Sequence, residues 1–179
     1  ACRWTSMSVS KASNRHARPM NSRRPVALLL ALSAINLALM IPGGFVETRD
    51  FSAYPASVLA GFNIFLTVLG LGSLVLAWLT WRGGVRRVWS GLAAIGFAAV
   101  YLLDLFAIFP VTPVPMSSLL ETLEWLGTAL AVLLGAAVLA SGRGEGVAQA
   151  ASVPRGLAIL MAIAGLGIVI FATISAMRG

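Results

Sequence analysis

Charge is scarce in this sequence, since only 11% of its 179 residues are acidic or basic. Soluble domains carry about 25% charged residues. Hydrophobic residues make up 59% of the chain, and its mean hydropathy is +0.91. Because the apolar residues also fall in long runs, the composition excludes an ordinary water-soluble globule and favours a polytopic helical membrane protein.

Reactive residue types are scarce as well. Cys2 is the single cysteine, which excludes an intrachain disulfide and a cysteine metal cluster. His16 is the single histidine, so we expect neither a haem held by two histidines nor a histidine zinc site. The sequence also lacks the glycine-rich phosphate loops and the common hydrolase motifs. We therefore predict no catalytic residue, lean towards a protein that is not an enzyme, and find no particular cofactor indicated.

The basic residues do not follow the pattern of a nucleic-acid-binding protein. The net charge is +7 and the isoelectric point is near 11.3, but the basic residues lie in a tail and in short loops, without interleaved aromatic residues. We expect no nucleic-acid partner. Lys11 is the sole lysine beside abundant arginine, alanine and glycine, which is typical of a bacterial coding sequence of high GC content.

Five apolar segments follow one another, at residues 26–41, 56–81, 88–109, 119–140 and 156–177. A helix needs about 20 residues to cross about 30 Å of hydrocarbon, so the last four segments are long enough and the first is short. Backbone groups that face lipid must be paired within a helix. The segments predict an all-α transmembrane bundle of about five spans, forming a single domain over residues 25–178.

The distribution of Lys and Arg predicts the orientation of the bundle. With the amino terminus in the cytoplasm, eleven of the 13 basic residues lie on the cytoplasmic side, and only Arg49 and Arg178 lie outside. This follows the positive-inside rule. We predict a cytoplasmic amino terminus, an external carboxyl terminus and, given the composition, a location in the bacterial inner membrane.

Residues 1–24 form a basic segment that we expect to be a mobile cytoplasmic tail. Met7 and Met20 both precede the first apolar segment, so either could be the true start. Residues 23–40 also fit the pattern of a signal peptide. We favour an uncleaved first span, because the apolar run continues through Ile41 without a polar region after a small-residue site.

The link between the first two apolar segments concentrates charge in four positions. It reads IPGGFVETRDFSAYP at residues 41–55 and contains Glu47, Arg49 and Asp50. In the predicted orientation this is the first outer loop. Arg49 is then the main cation available to acidic residues on the outer side.

Polar residues occur near the outer end of four of the segments, at Asn36, Asn63, Asp104 and Glu124. Each lies five to seven residues from the predicted end of its segment, which corresponds to a depth of about 8–10 Å. Thr67 follows Asn63 by one helical turn. Because polar residues within a membrane tend to face protein, we predict a candidate polar site in the outer leaflet, with Arg49 above it.

Asp104 is the most informative member of this candidate site. A carboxylate below the membrane interface is costly unless it is paired, hydrated or protonated. A salt bridge from Asp104 to Arg49 would be structural. A proton- or cation-binding site formed with Glu124 would be functional, and both interpretations stay open.

Three functions fit these features. The first is a non-catalytic accessory subunit or assembly factor of a larger membrane complex, in which segments 51–55 and 109–115 form an outer docking surface. The second is a small transporter, or a proton- or cation-coupled carrier, that uses Asp104 and Glu124. The third is a membrane-embedded enzyme that acts on lipid. The expected partners are the lipid bilayer and either other membrane subunits or further copies of this chain.

Overall fold

The computed structural model describes residues 23–83, 87–141 and 153–178, and every regular element in these ranges is an α-helix. The predicted tail up to residue 22 lies outside the described residues. The helices are α1 Arg23–Leu39, α2 Ala56–Trp81, α3 Arg87–Leu105, α4 Ser118–Ala140 and α5 Arg155–Arg178. The chain is therefore all-helical over its described part.

Four of the described helices, α2 to α5, are long and apolar enough to cross a membrane. Helix α1 has 17 residues, so it is about 25 Å long and shorter than a typical span. The bundle exposes many large apolar side chains, among them Val68, Ile95, Val132 and Ile163. Lipid is the medium in which such a surface is stable, because burial of apolar side chains from water is favourable.

The helices form a bundle in which successive helices run in opposite directions. Helix α1 packs on α2 and α4, α3 packs on α4, and α5 packs on α2. The centre is filled by fully buried Leu30, Phe97, Tyr101 and Leu134. We call the end that carries the α1–α2 loop the Arg49 end, and the opposite end, where α3 begins, the Arg87 end.

Helix α3 ends four residues earlier than the sequence predicts, at Leu105 instead of residue 109. The amides of Ile108 and Phe109 both donate to the carbonyl oxygen of Leu103, and Ala107 has a positive φ of 50°. The apolar run thus continues beyond the helix into a tight turn. Asp104 consequently lies in the last turn of α3 and nearer the bundle end than its predicted depth.

Helix α4 begins at Ser118, and its N-cap is Ser117. The Ser117 hydroxyl oxygen accepts a hydrogen bond from the amide of Leu120 at 3.2 Å. A serine at this position satisfies an amide that has no partner within the helix. Glu121 lies in the first turn of α4, where its negative charge is favourable.

Gly127 of α4 allows three helices to approach closely. A Cβ at this position would lie against the ring of Tyr101 and the side-chain amide of Asn36. Gly135, two turns further along α4, has open space at the corresponding position. The two glycines therefore differ in what they contribute to packing.

We expect Gly127→Ala to destabilise the protein by about 1–3 kcal/mol, because the added methyl group overpacks the Tyr101–Asn36 contact. The matched change Gly135→Ala should leave stability unchanged or raise it, since alanine has the higher helix propensity. Thermal unfolding of both purified variants in the same detergent measures the difference. Equal melting temperatures for the two variants would contradict the close approach at Gly127.

Candidate functional site

The loop between α1 and α2 folds onto the bundle through Arg49. The guanidinium group of Arg49 donates two hydrogen bonds to Asp104 of α3, from Nη1 to Oδ1 at 2.7 Å and from Nη2 to Oδ2 at 2.6 Å. Arg49 is 8% exposed and Asp104 is 9% exposed. This parallel two-bond geometry is the strongest arrangement of an arginine and a carboxylate. It ties the loop to the end of α3.

Glu47 binds the same guanidinium group from within the loop. Arg49 Nη2 donates to Glu47 Oε2 at 2.6 Å, while the Arg49 Nε and backbone amide both donate to Oε1 at 3.0 Å. Burial by itself lowers the pKa of Arg49, but the hydrogen bonds and charges of Asp104 and Glu47 outweigh burial and raise it above its ordinary value. Arg49 therefore stays cationic between two carboxylates.

Asp50 does not join this cluster, although it follows Arg49 directly. Its side chain is exposed, and its Oδ1 accepts a hydrogen bond from the amide of Ser52 at 2.7 Å. This bond lowers the pKa of Asp50. Of the two predicted loop acids, Glu47 lies at the site and Asp50 shapes a solvent-exposed turn.

Glu124 of α4 lies beside Asp104 and is 2% exposed. Its Oε2 has no hydrogen-bond partner in the structure. Arg49, Asp104 and Glu124 line a common cavity of about 50 Å³, which is space for one or two water molecules at about 30 Å³ each. The cavity is also lined by apolar side chains and rings, among them Leu59, Phe62, Phe109 and Ala176.

The charges around this cavity do not balance. Its lining contains three carboxyl groups, those of Glu47, Asp104 and Glu124, and Arg49 is the only basic residue among the lining residues. Fully ionised, the cluster would carry a net charge of about −2, which is costly in a buried site. The geometry can therefore hold an additional positive charge next to Glu124.

Asn36 connects α1 to two other helices. Its Nδ2 donates to the Tyr101 hydroxyl oxygen at 3.1 Å and to the carbonyl oxygen of Leu123 at 3.0 Å. Its Oδ1 is buried without a partner. Tyr101 lines the carboxyl cavity, whereas Asn36 does not and reaches that cavity only through Tyr101.

Asn63 and Thr67, one turn apart on α2, differ in the cavities that they line. Asn63 lines the carboxyl cavity, and its Nδ2 donates to Oγ1 of Thr173 in α5 at 3.1 Å. Thr67 does not line that cavity. It lines an adjacent apolar cavity of about 80 Å³ between α1, α2 and α5, so the structure does not bring it to the predicted polar site.

The two loops at the Arg49 end are joined by aromatic contacts. The Tyr54 hydroxyl accepts a hydrogen bond from the amide of Val111 at 2.7 Å, and it lies 3.2 Å from the carbonyl oxygen of the same residue. The Phe109 ring meets the rings of Tyr54 and Phe62 edge to face, at centroid distances of 5.5 and 5.0 Å. The rings of Phe62 and Phe109 line the cavity, as does the buried ring of Phe51, whereas Tyr54 does not.

Sequence reasoning did not place Tyr101, Phe62, Phe109 or Thr173 at the site. Tyr101 carries the clearest signal that could have found it, because it precedes Asp104 by three residues and shares its helix face. Among the described residues, no group of three or more His, Cys, Asp and Glu side chains is arranged to hold a metal ion.

Four helices that are long and apolar enough to span a membrane indicate that this helical bundle is a membrane protein, with a buried ion-pair cluster at one end. Residues 22–153 match the family described as Domain of unknown function (DUF8051), and the chain belongs to this family. No curated protein and no solved structure matches the chain. The matched region contains α1 to α4 and all of the charged site residues, whereas α5 and Thr173 follow it.

We expect Arg49→Gln to destabilise the protein by about 3–5 kcal/mol, because it leaves two buried carboxylates without a cation. The double variant Arg49→Gln with Asp104→Asn should lose less stability than the sum of the two single changes. Chemical denaturation in a common detergent gives the three free energies of unfolding.

The matched control for Arg49→Gln is Asp50→Asn, which removes a neighbouring charge that is exposed to solvent. It should leave the unfolding transition unchanged. Additive effects of Arg49→Gln and Asp104→Asn would contradict the direct pairing of these two residues.

Proposed function

We propose that this protein is a five-span membrane protein of the bacterial inner membrane that binds a proton or a small cation at its outer end. The amino terminus is cytoplasmic and the carboxyl terminus is external. Support for this orientation comes from the positive-inside distribution of Lys and Arg, which makes the Arg49 end the outer end. Helix α1, with 17 residues, is the shortest of the proposed spans, and a bilayer accommodates a short span by local thinning.

The observation that carries the proposal is the carboxyl group of Glu124. It is buried beside Asp104, one of its oxygen atoms has no partner, and it opens onto the cavity. Arg49 is already bound by two carboxylates, so it offers Glu124 no comparable pair. An added proton or cation at Glu124 offsets the excess negative charge.

The cavity selects a small occupant. Its volume of about 50 Å³ suits a proton carried by one or two water molecules, or a small monovalent cation with part of its hydration shell. A site of this kind belongs to a small proton- or cation-coupled carrier. Intramembrane carboxyl groups commonly mark such ion pathways.

A second candidate function is an accessory subunit of a larger membrane complex. The link between α3 and α4 exposes Phe106, Ile108, Val111 and Val114 at the Arg49 end. These side chains lie outside the helices, where a partner subunit could cover them. Segment 51–55, the other part of the predicted docking surface, fits this role less well, because Phe51 is buried and Tyr54 contacts the other loop.

Replacement of Glu124 tests the binding of a proton. Infrared spectra of the purified protein at neutral pH should show the carbonyl stretch of a buried neutral carboxylic acid, and Glu124→Gln should remove this band. Liposomes that contain the protein and a trapped pH dye should respond to a pulse of external Na⁺ or K⁺, and Glu124→Gln should abolish that response.

The control for Glu124→Gln is Glu121→Gln, which changes an exposed glutamate one turn earlier on the same helix. This variant should keep both the infrared band and the ion response. If the infrared spectrum of Glu124→Gln were the same as that of the unaltered protein, protonation of Glu124 would be refuted. A pH dye that stays unresponsive to both cations would refute coupled transport.

The subunit hypothesis predicts that mild detergent extracts the protein from its native membrane as part of a complex. Native mass analysis should give a mass well above 18.7 kDa with distinct partner subunits. Replacement of Val111 and Val114 by serine should release the partner while the chain stays folded. Recovery of the free monomer alone would count decisively against this function.

A further inference from the structure

The Arg87 end of the bundle contains a second polar cavity, remote from the carboxyl cluster. Residues from α1 to α4 and the C-cap of α4 line it: Arg23, Val26, Thr80, Arg87, Ser90, Val138 and Ser141. Its inner space is about 20 Å³, which is room for about one water molecule, and it is open to the surface. A single oxygen atom of a larger group can therefore enter while the rest of that group stays outside.

The lining of this cavity is rich in hydrogen-bond donors. It contains two guanidinium groups and three hydroxyl groups, and none of the lining residues in the described part of the chain is acidic. Thr80 is 8% exposed, and its Oγ1 has no hydrogen-bond partner. A buried hydroxyl without a partner costs free energy, and a bound acceptor removes that cost.

Arg87 is held in place by the end of α4. One of its terminal nitrogens, Nη2, donates to the carbonyl oxygens of Val138 and Leu139. These contacts satisfy carbonyl groups at the helix C-terminus and use only part of the guanidinium group. The Nε of Arg87 is buried without a partner. The guanidinium group of Arg87 is thus held in position, and its Nε remains available as a hydrogen-bond donor.

We propose that this cavity binds a phosphate group, either the head-group phosphate of an anionic lipid or free inorganic phosphate. Arginine and hydroxyl donors around a cation-rich cavity are the chemistry that recognises phosphate oxygens. In the orientation proposed above, the cavity faces the cytoplasmic leaflet, where anionic lipids meet basic residues. The site does not involve Glu124 and stands independently of proton binding.

Native mass spectrometry of the full chain, purified with an equal mixture of phosphatidylglycerol and phosphatidylcholine, tests the lipid source. We expect phosphatidylglycerol to be retained preferentially. Thr80→Val should reduce that preference about tenfold, the effect of losing one hydrogen bond to a charged group, and Thr80→Ser should restore it. In a second arm, inorganic phosphate is added to the protein in a neutral detergent, and the melting temperature of the protein is measured.

Two control variants separate this site from general charge and general packing. Arg82→Gln removes a charge at the same end, but Arg82 stacks on Trp78 at 4.3 Å and does not line the cavity. Ser73→Ala removes another buried hydroxyl without a partner from the same helix. Both variants should keep the full preference for phosphatidylglycerol.

Each outcome of these two arms is decisive. Preferential lipid retention that depends on Thr80 assigns the site to a lipid head group. A rise in melting temperature with phosphate that Thr80→Val abolishes, without lipid preference, assigns it to free phosphate. The proposal is overturned if neither effect occurs, or if Arg82→Gln loses the lipid preference as much as Thr80→Val does. In either case the cavity would hold only water.

Discussion

The position of Arg49 between two carboxylates is the constraint on which the Arg49 end depends. A guanidinium group offers donors in a rigid plane, and here two edges of that plane are bound by Asp104 of α3 and Glu47 of the loop. Because each bond fixes the direction of the others, the loop cannot shift without breaking the contact to α3. The ring of Phe51, from the same loop, lies against the guanidinium group, with its centroid 5.4 Å from Arg49 Cζ. One cation thereby sets the position of the loop, the end of α3 and the upper wall of the cavity.

The bundle separates its charges along its axis. All five acidic residues in the described ranges lie at the Arg49 end, whereas Arg23, Arg24, Arg82, Arg87 and Arg155 lie at the opposite end. The lining residues differ accordingly: three carboxyl groups and one guanidinium group line the cavity at one end, and guanidinium and hydroxyl groups line the cavity at the other. The two sites proposed above would therefore bind ligands of opposite charge. The apolar centre, filled by residues such as Leu30 and Phe97, keeps the two sites apart.

The sequence predicts the helices well and the loops poorly. Hydropathy and flanking prolines give α2 with its observed bounds, because lipid selects for uninterrupted apolar runs. The end of α3 is missed because residues 106–109 are as apolar as the helix, and hydropathy cannot distinguish a helix from an apolar turn. Asn63, Asp104 and Glu124 line one cavity, although Asp104 lies nearer the helix end than its depth suggests. Asn36 does not line that cavity and instead donates hydrogen bonds to Tyr101 and Leu123. Which loop acid turns inward depends on backbone angles that local sequence does not reveal, and so Glu47 and Asp50 were indistinguishable.

Helix α5 gives the carboxyl cavity an unusual wall. It follows the region matched to the family, buries only Ala172 and Ala176 among its described side chains, and rests on α2. Ala176 lines the carboxyl cavity and Ala172 lines the neighbouring apolar cavity. The hydrogen bond from Asn63 to Thr173 crosses the same contact. On the side of α5, the carboxyl cavity is thus walled by a single methyl group, that of Ala176. An outward displacement of α5 would open this wall, and it would also free Phe51, which packs on Ala176 and whose ring centroid lies 5.4 Å from Cζ of Arg49.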